Sequence, residues 1–328
     1  MKTKFACSLL AVLILASASI SRAQQPGKVY RIGTLDGGSP TGRAYLWDAF
    51  RQGLRELGYV EGKNLILEQR WSEGNREQQA ALVDELIRRK VDVIATASTG
   101  PALAAKKATS TIPIVMASQS DPVGTGLVAS LARPGGNVTG MSSMNVELGG
   151  KRLEVLKDAV PKSARVAVLR PVRSPSLQFK EIEAAGRALG LQLLVVETDA
   201  TMGRDDFESA FQIMSKQRAN ALLVGAVPRY LAGRKRLAEL AVKNRLPAMY
   251  SESEYANAGG LMAYGVVTAE LFRRAAVYVD KILKGNKPAD LPVEQAMKFE
   301  FIINLKAAKQ IGLTIPPEVL ARANKVIK

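Results

Sequence analysis

The sequence predicts an α/β protein of two Rossmann-like lobes, each built on a parallel sheet, with a hinged cleft between them. Short β-branched runs alternate with stretches of helical period, the arrangement by which successive βα units assemble a parallel sheet. That alternation is written twice, with similar punctuation recurring at an offset of about 130 residues. After the second copy a further strand, a long helix and another strand carry the chain back across its own path.

Taken in order, the first strand is expected at Val29–Leu35. A helix from Arg43 to Leu57 carries Leu46, Phe50, Leu54 and Leu57 on one stripe, and Gly58 stops it. Strand 65–70, helix 76–89 with Ala80, Val83 and Ile87 inward, and strand 91–95 follow. The next helix, 101–108, opens on Pro101, whose missing N–H would be unpaired there in any case. Strand 112–117, a helix 124–131 and strand 137–141 complete the first copy.

The second copy repeats the punctuation. Arg31-Ile-Gly-Thr-Leu35 is echoed by Arg165-Val-Ala-Val-Leu169, Ser39-Pro40 by Ser174-Pro175, Leu57-Gly58 by Leu189-Gly190, and Ile112-Pro113 by Leu246-Pro247. A strand at 259–265 precedes a helix at 268–283 with Leu271, Ala275, Tyr278 and Ile282 inward. After a loop at 284–292 come a strand at 298–303 and a helix capped by Asn304. The expected organisation is a first lobe from 28–145 together with about 256–285, a second lobe from 146–255, and a C-terminal segment 286–328 returning to one or both lobes. Several crossings of this kind make a hinge.

Residues 1–23 have the features of a cleavable export signal. Lys2 and Lys4 precede an apolar run from Phe5 to Ile20, and Ser21-Arg22-Ala23 has the small-x-small pattern that signal peptidases accept. Cleavage is expected after Ala23. The run is shorter than the roughly 20 residues a spanning helix needs, so no membrane insertion is expected after cleavage. Cys7 lies at the start of the run and not beside the cleavage point, which points to a released, periplasmic protein instead of a lipid-anchored one.

Composition narrows the chemistry. There is no histidine, and the one cysteine belongs to the signal. Ser-His-Asp and Cys-His nucleophile systems and the usual zinc ligands are therefore missing. No cofactor and no metal is called for, although carboxylate chemistry and oxygen-ligand metal sites stay open. Without Lys2, Lys4 and Arg22 the chain holds 43 Lys and Arg against 30 Asp and Glu, a net charge of +13. The densest basic clusters, Arg88-Arg89-Lys90 and Arg234-Lys235-Arg236, sit at helical spacing without interleaved aromatics. They read as solvated helix faces, and no nucleic-acid partner is expected.

In parallel α/β sheets ligands bind beyond the carboxyl ends of the strands, and two facing lobes put two such edges on one cleft. The loops concerned are 36–42, which contains Ser39, then 96–100, 118–122, 170–176, 225–230 and 250–255. Ser98, Thr99 and Gly100 precede a helix, so their hydroxyls and free N–H groups suit a carboxylate or phosphate; ordinary N-capping is the competing reading. Asp121 could hold an ammonium or hydroxyl, or cap the helix expected at Gly124. Glu252 and Glu254 are too close in sequence to face one another along a strand, which argues against a catalytic carboxylate pair. Tyr250 and Tyr264, with Tyr230 and Tyr255, fall near the cleft edges, where a flat solute could stack; core packing is the alternative.

Three stretches carry a family resemblance: FRQGLRELGYVEG at 50–62, DPVGTGLVASLARPGGNVTG at 121–140, and YVDKILKG at 278–285 with PADLPVEQ at 288–295. They resemble the ABC transporter substrate-binding proteins related to tryptophan-binding lipoproteins. The resemblance implies the type I periplasmic-binding-protein fold, closing on a solute by hinge motion. It also implies delivery to an inner-membrane ABC permease with its cytoplasmic ATPase. A non-catalytic receptor for an amino acid or another small polar solute is therefore expected. Its carboxylate is expected on Ser98, Thr99 and Gly100, its ammonium near Asp121 or Glu252, and its side group against Tyr250 or Tyr264. Two alternatives are an exported hydrolase using Asp121 with Glu252 or Glu254, and a sensory receptor sharing the fold.

Overall fold

Apolar runs too short for helices, such as Val93–Ala97 and Ala221–Val224, are buried along their whole length, which requires sheets covered by helices on both faces. The computed structural model describes residues 28–172, 177–198 and 205–328. The expected signal and its cleavage site lie outside the described residues, as do Ser174-Pro175.

The first half runs β1 (Tyr30–Asp36), α1 (Pro40–Glu56), β2 (Leu65–Trp71), α2 (Gln78–Arg88), β3 (Val93–Ala97), α3 (Thr99–Ala108), β4 (Ile114–Gln119) and β5 (Val138–Ser142). The second runs α4 (Leu148–Ala159), β6 (Arg165–Pro171), α5 (Leu177–Ala188), β7 (Gln192–Thr198), α6 (Asp205–Lys216), β8 (Ala221–Val224), α7 (Pro228–Ala232), α8 (Arg234–Lys243), β9 (Ala248–Tyr250), α9 (Ser253–Asn257) and β10 (Met262–Val266). The chain closes with α10 (Thr268–Leu283), β11 (Glu294–Gln295), β12 (Phe299–Asn304), α11 (Leu305–Ile311), α12 (Pro317–Leu320) and β13 (Lys325–Ile327).

Among the described residues one sheet has the order β2-β1-β3-β4-β5-β11 and the other β7-β6-β8-β9-β10-β12-β13. Five consecutive strands of each copy thus adopt the same order and pair in parallel. The duplicated punctuation of the sequence is a duplicated topology. β12 departs from it by pairing antiparallel with β10.

The structure divides 256–285 instead of leaving it with the first lobe. β10 hydrogen-bonds to β9 and β12 in the second sheet, whereas α10 lies against α1, where Trp47 meets Phe50 and Phe272 edge-on at 5.4 and 5.0 Å. The apolar stripe of α10, predicted from its spacing, is what docks it there: Leu271, Phe272, Ala275, Tyr278 and Val279 are all buried in the first-lobe core. The C-terminal segment is also shared, β11 joining the first sheet and β12 and β13 the second. Three short segments, 143–147, residue 267 and 296–298, therefore cross between the lobes.

The helix expected at 124–131 is absent. Gly126 adopts φ +71°, which a helix cannot accommodate, and the segment folds as linked turns held by Asp121, Pro122 and Pro134 carbonyls. Leu127 and Val128 still reach the core, so the segment covers the sheet without being helical.

Candidate functional site

The first lobe presents its edge from β1, β3 and β4. At the end of β1, the buried Asp36 carboxylate accepts from Arg43 Nε at 2.9 Å, Trp47 Nε1 at 2.9 Å and Gly38 N at 2.8 Å. Burial opposes the Arg43 charge and Asp36 supports it, leaving the guanidinium pKa raised. Asp36 is thereby fully engaged and fixes Arg43 at the start of α1. Ser39 caps that helix through its carbonyl, which accepts from Gly42 N and Arg43 N, while its hydroxyl pairs with Thr41.

At the end of β3, Ser98 has φ +79° and ψ 156°, a region ordinarily left to glycine and found in other residues chiefly where the surrounding fold enforces it. Its Oγ is buried without a partner, as are Thr96 Oγ1 and Gln119 Nε2 beside it. Thr99 Oγ1 lies 3.5 Å from Gln119 Oε1, and α3 begins at Thr99 with its first N–H groups free of helical partners. Gly100 permits close packing against Gln79, whose Oε1 would lie 2.6 Å from any Cβ there. Asp121 turns its Oδ1 to Gly124 N at 2.7 Å, capping a turn and not a helix, while its Oδ2 is buried and unpartnered.

The second lobe answers with Ser251 and Glu252, directly after β9. Ser251 Oγ and Glu252 Oε2 are buried without partners. Burial, reinforced by Glu254, pushes the Glu252 carboxyl up to about 7, against the pull of Arg43, Arg152 and Arg234. Two contacts join the lobes at this edge. Tyr45 Oη of α1 donates to Glu254 Oε1 at 2.5 Å, and burial together with both glutamates raises the Tyr45 phenol far above its usual range. Gly42 lies so close to α7 that a Cβ would be 2.9 Å from Ala232 Cα.

A hydrogen-bonded ribbon crosses the floor of the cleft. Ser143 N donates to Gln119 O at 2.7 Å, Asn145 Nδ2 to Ser143 Oγ at 3.1 Å, and Arg152 Nη2 to Asn145 Oδ1 at 2.7 Å and Ser251 O at 3.4 Å. The ribbon runs from the Ser98 edge through the first crossing to the Glu252 edge.

Of the residues singled out from sequence, the structure sets Ser98, Thr99 and Gly100 on one edge and Glu252 on the other. Ser39 and Asp121 lie at neighbouring strand ends. The two tyrosines are placed elsewhere. Tyr250 is 0% exposed and stacks on Tyr255 at 4.6 Å inside the helix-covered core of the second lobe. Tyr264, half-buried, packs edge-on against Phe301 on the other face of that sheet and also lies against the first-lobe core. A strand-end position does not reveal which face the ring takes. Nothing in the local sequence singles out Arg43, Tyr45, Gln119, Asn145 or Ser251. Arg152 had a legible signal: it occupies the apolar face of α4 with Leu148, Leu156 and Ala159, where a charge needs a reason.

A sequence model of the family described as ABC transporter substrate binding protein matches residues 40–327. A tyrosine-binding protein of Clostridioides difficile (strain R20291) is 26% identical over 265 residues, 80% of this chain and 75% of that protein. Among solved structures, an ABC domain in complex with L-Trp from Streptococcus pneumoniae superposes with a TM-score of 0.82 at 26% identity, covering 92% of this chain and 100% of that one. A conserved domain protein of Vibrio cholerae gives 0.83 at 26% identity, covering 91% and 100%.

Proposed function

Because the chain belongs to the ABC transporter substrate-binding protein family, we propose that it is a periplasmic receptor that captures an aromatic α-amino acid by lobe closure. It then delivers that solute to an inner-membrane permease driven by a cytoplasmic ATPase. Family and relatives are solute-binding proteins, and the site is read as one that holds a solute without converting it.

The observation that carries the solute class is the pattern of unpartnered buried groups on the facing edges. Hydroxyl and amide donors with a helix N-terminus lie on one side, beside the Asp121 carboxylate oxygen, and the Glu252 carboxylate oxygen lies on the other, so the two edges together offer partners to both charges of a zwitterion. The solute carboxylate is placed on Ser98, Thr99 and Gly100 and its ammonium on Glu252. Tyr45, half-buried beside Glu252 and Glu254, takes over the stacking role from Tyr250 and Tyr264. A relative named for tyrosine and a fold match holding L-Trp support an aromatic side group.

Isothermal titration of the processed protein with the twenty L-amino acids tests this. One-to-one binding of L-Tyr or L-Trp is expected; binding of none of the twenty overturns the solute class. Loss of uptake of the bound amino acid on gene deletion tests the delivery step.

A further inference from the structure

Arg152 is 1% exposed, and a guanidinium so placed is costly unless its donors are paired. Nε donates to Tyr264 O at 2.7 Å, and Nη2 is shared between Asn145 Oδ1 and Ser251 O. All three acceptors are neutral. Nη1 is buried with no partner, and no carboxylate among the described residues bonds to the side chain. Burial holds the guanidinium down to about 10, with Glu252 opposing that fall from a distance.

The position of these anchors gives the free donor its meaning. Asn145 lies in the first crossing, Tyr264 in β10 three residues before the second, and Ser251 beside Glu252. Space there is tight: a side chain at Gly265 would strike Ser251 O and come within 3.4 Å of Arg152 Nη2. The guanidinium is thus fixed by elements that meet at the hinge, with one donor nitrogen uncommitted. Through Asn145, Ser143 and Gln119 it is linked to the edge that carries Ser98 and Thr99.

We infer that Arg152 is the specificity-determining residue for the anionic group of the solute, its Nη1 donating to a carboxylate that Ser98 and the start of α3 hold from the opposite side. This rests on the amino-acid reading above. Because Nε and Nη2 are tied to the crossings, the fork is oriented by the hinge, and an anion bound to it favours the arrangement in which all its partners converge.

The test compares L-Tyr with tyramine and L-Trp with tryptamine, pairs that differ only in the carboxylate, by titration of the wild-type protein and Arg152→Gln. In the wild type the amino acid is expected to bind more tightly than its amine. Arg152→Gln is expected to shrink that ratio about 10- to 100-fold, the value of a charge-assisted hydrogen bond, while amine affinity moves less than about 3-fold. An unchanged ratio, or parallel weakening of acid and amine, overturns the inference and leaves Arg152 a purely structural residue. If the wild type binds no amino acid at all, the functional reading itself fails and takes the inference with it. Should Arg152→Gln not fold by circular dichroism, Arg152→Lys serves instead. It retains the charge but loses the fork, so a ratio falling roughly 10-fold supports the inference and an unchanged ratio contradicts it.

Discussion

Replacing Glu252 with Gln separates the energetics of the unloaded cleft from those of the loaded one. Glu252 is 9% exposed, its Oε2 lacks a partner, and burial beside Glu254 pushes its carboxyl up to about 7 from an ordinary value of 4.5. At 1.36 kcal/mol per pKa unit, the ionised group costs the arrangement in which it is buried about 3 kcal/mol as a ceiling. Since the folded-state pKa is the raised one, this cost is absent below pH 4.5, grows as pH rises from there, and is fully present above pH 7. An opened cleft that wets the carboxylate relieves the cost without unfolding, so ionised Glu252 biases the empty protein towards opening. A solute ammonium offsets it. Wild-type affinity for L-Tyr or L-Trp should therefore rise with pH through 7, and binding below pH 7 should release up to one proton. Glu252→Gln should weaken binding about 10- to 100-fold at pH 8, abolish the pH dependence, and give a smaller solute-free radius of gyration by X-ray scattering. Titrations at pH 5.5, 7 and 8.5 in buffers of different ionisation enthalpy read out the affinity and proton terms. A flat wild-type profile, or a variant that binds as tightly as wild type, would refute the reasoning.

Other substitutions probe the remaining contacts. Gly42→Leu places a side chain against the Ala232 backbone; it should abolish binding and hold the protein open in scattering, while each lobe unfolds at its usual denaturant midpoint. Ser98→Gly removes a residue from a glycine-only backbone region and should raise stability by about 1 kcal/mol in urea titration while weakening solute binding. Asp36→Ala strips the buried Arg43 of its counter-charge and Trp47 Nε1 of its acceptor; urea denaturation should show a loss of about 3–5 kcal/mol.

The duplicated architecture was legible because its signals are local and repeated. The bounds of α10 follow from an uninterrupted apolar stripe ending at Gly285, and the Ser98-Thr99-Gly100 edge follows from its place between a strand and a helix. Gly126 and Pro134 weaken any helix between β4 and β5, yet the apolar residues there still mimic helical spacing. The cross-lobe groups were harder to find. Tyr45 and Glu254 are 209 residues apart, and nothing local to either announces the other. Arg152 is bound by carbonyls from the first crossing, from β10 and from the loop after β9, whose convergence is a property of tertiary topology and not of spacing. Tyr250 misleads for the opposite reason: it sits where sequence places it, but its ring turns into the second-lobe core.

Native mass spectrometry of the processed protein, purified without denaturation and then mixed with L-Tyr or L-Trp, tests solute capture between the facing edges most directly. The account predicts a single one-to-one adduct of the added amino acid that disappears in the Ser98→Ala, Glu252→Gln double variant. An adduct that persists undiminished in that variant, or no adduct with either amino acid, would contradict it.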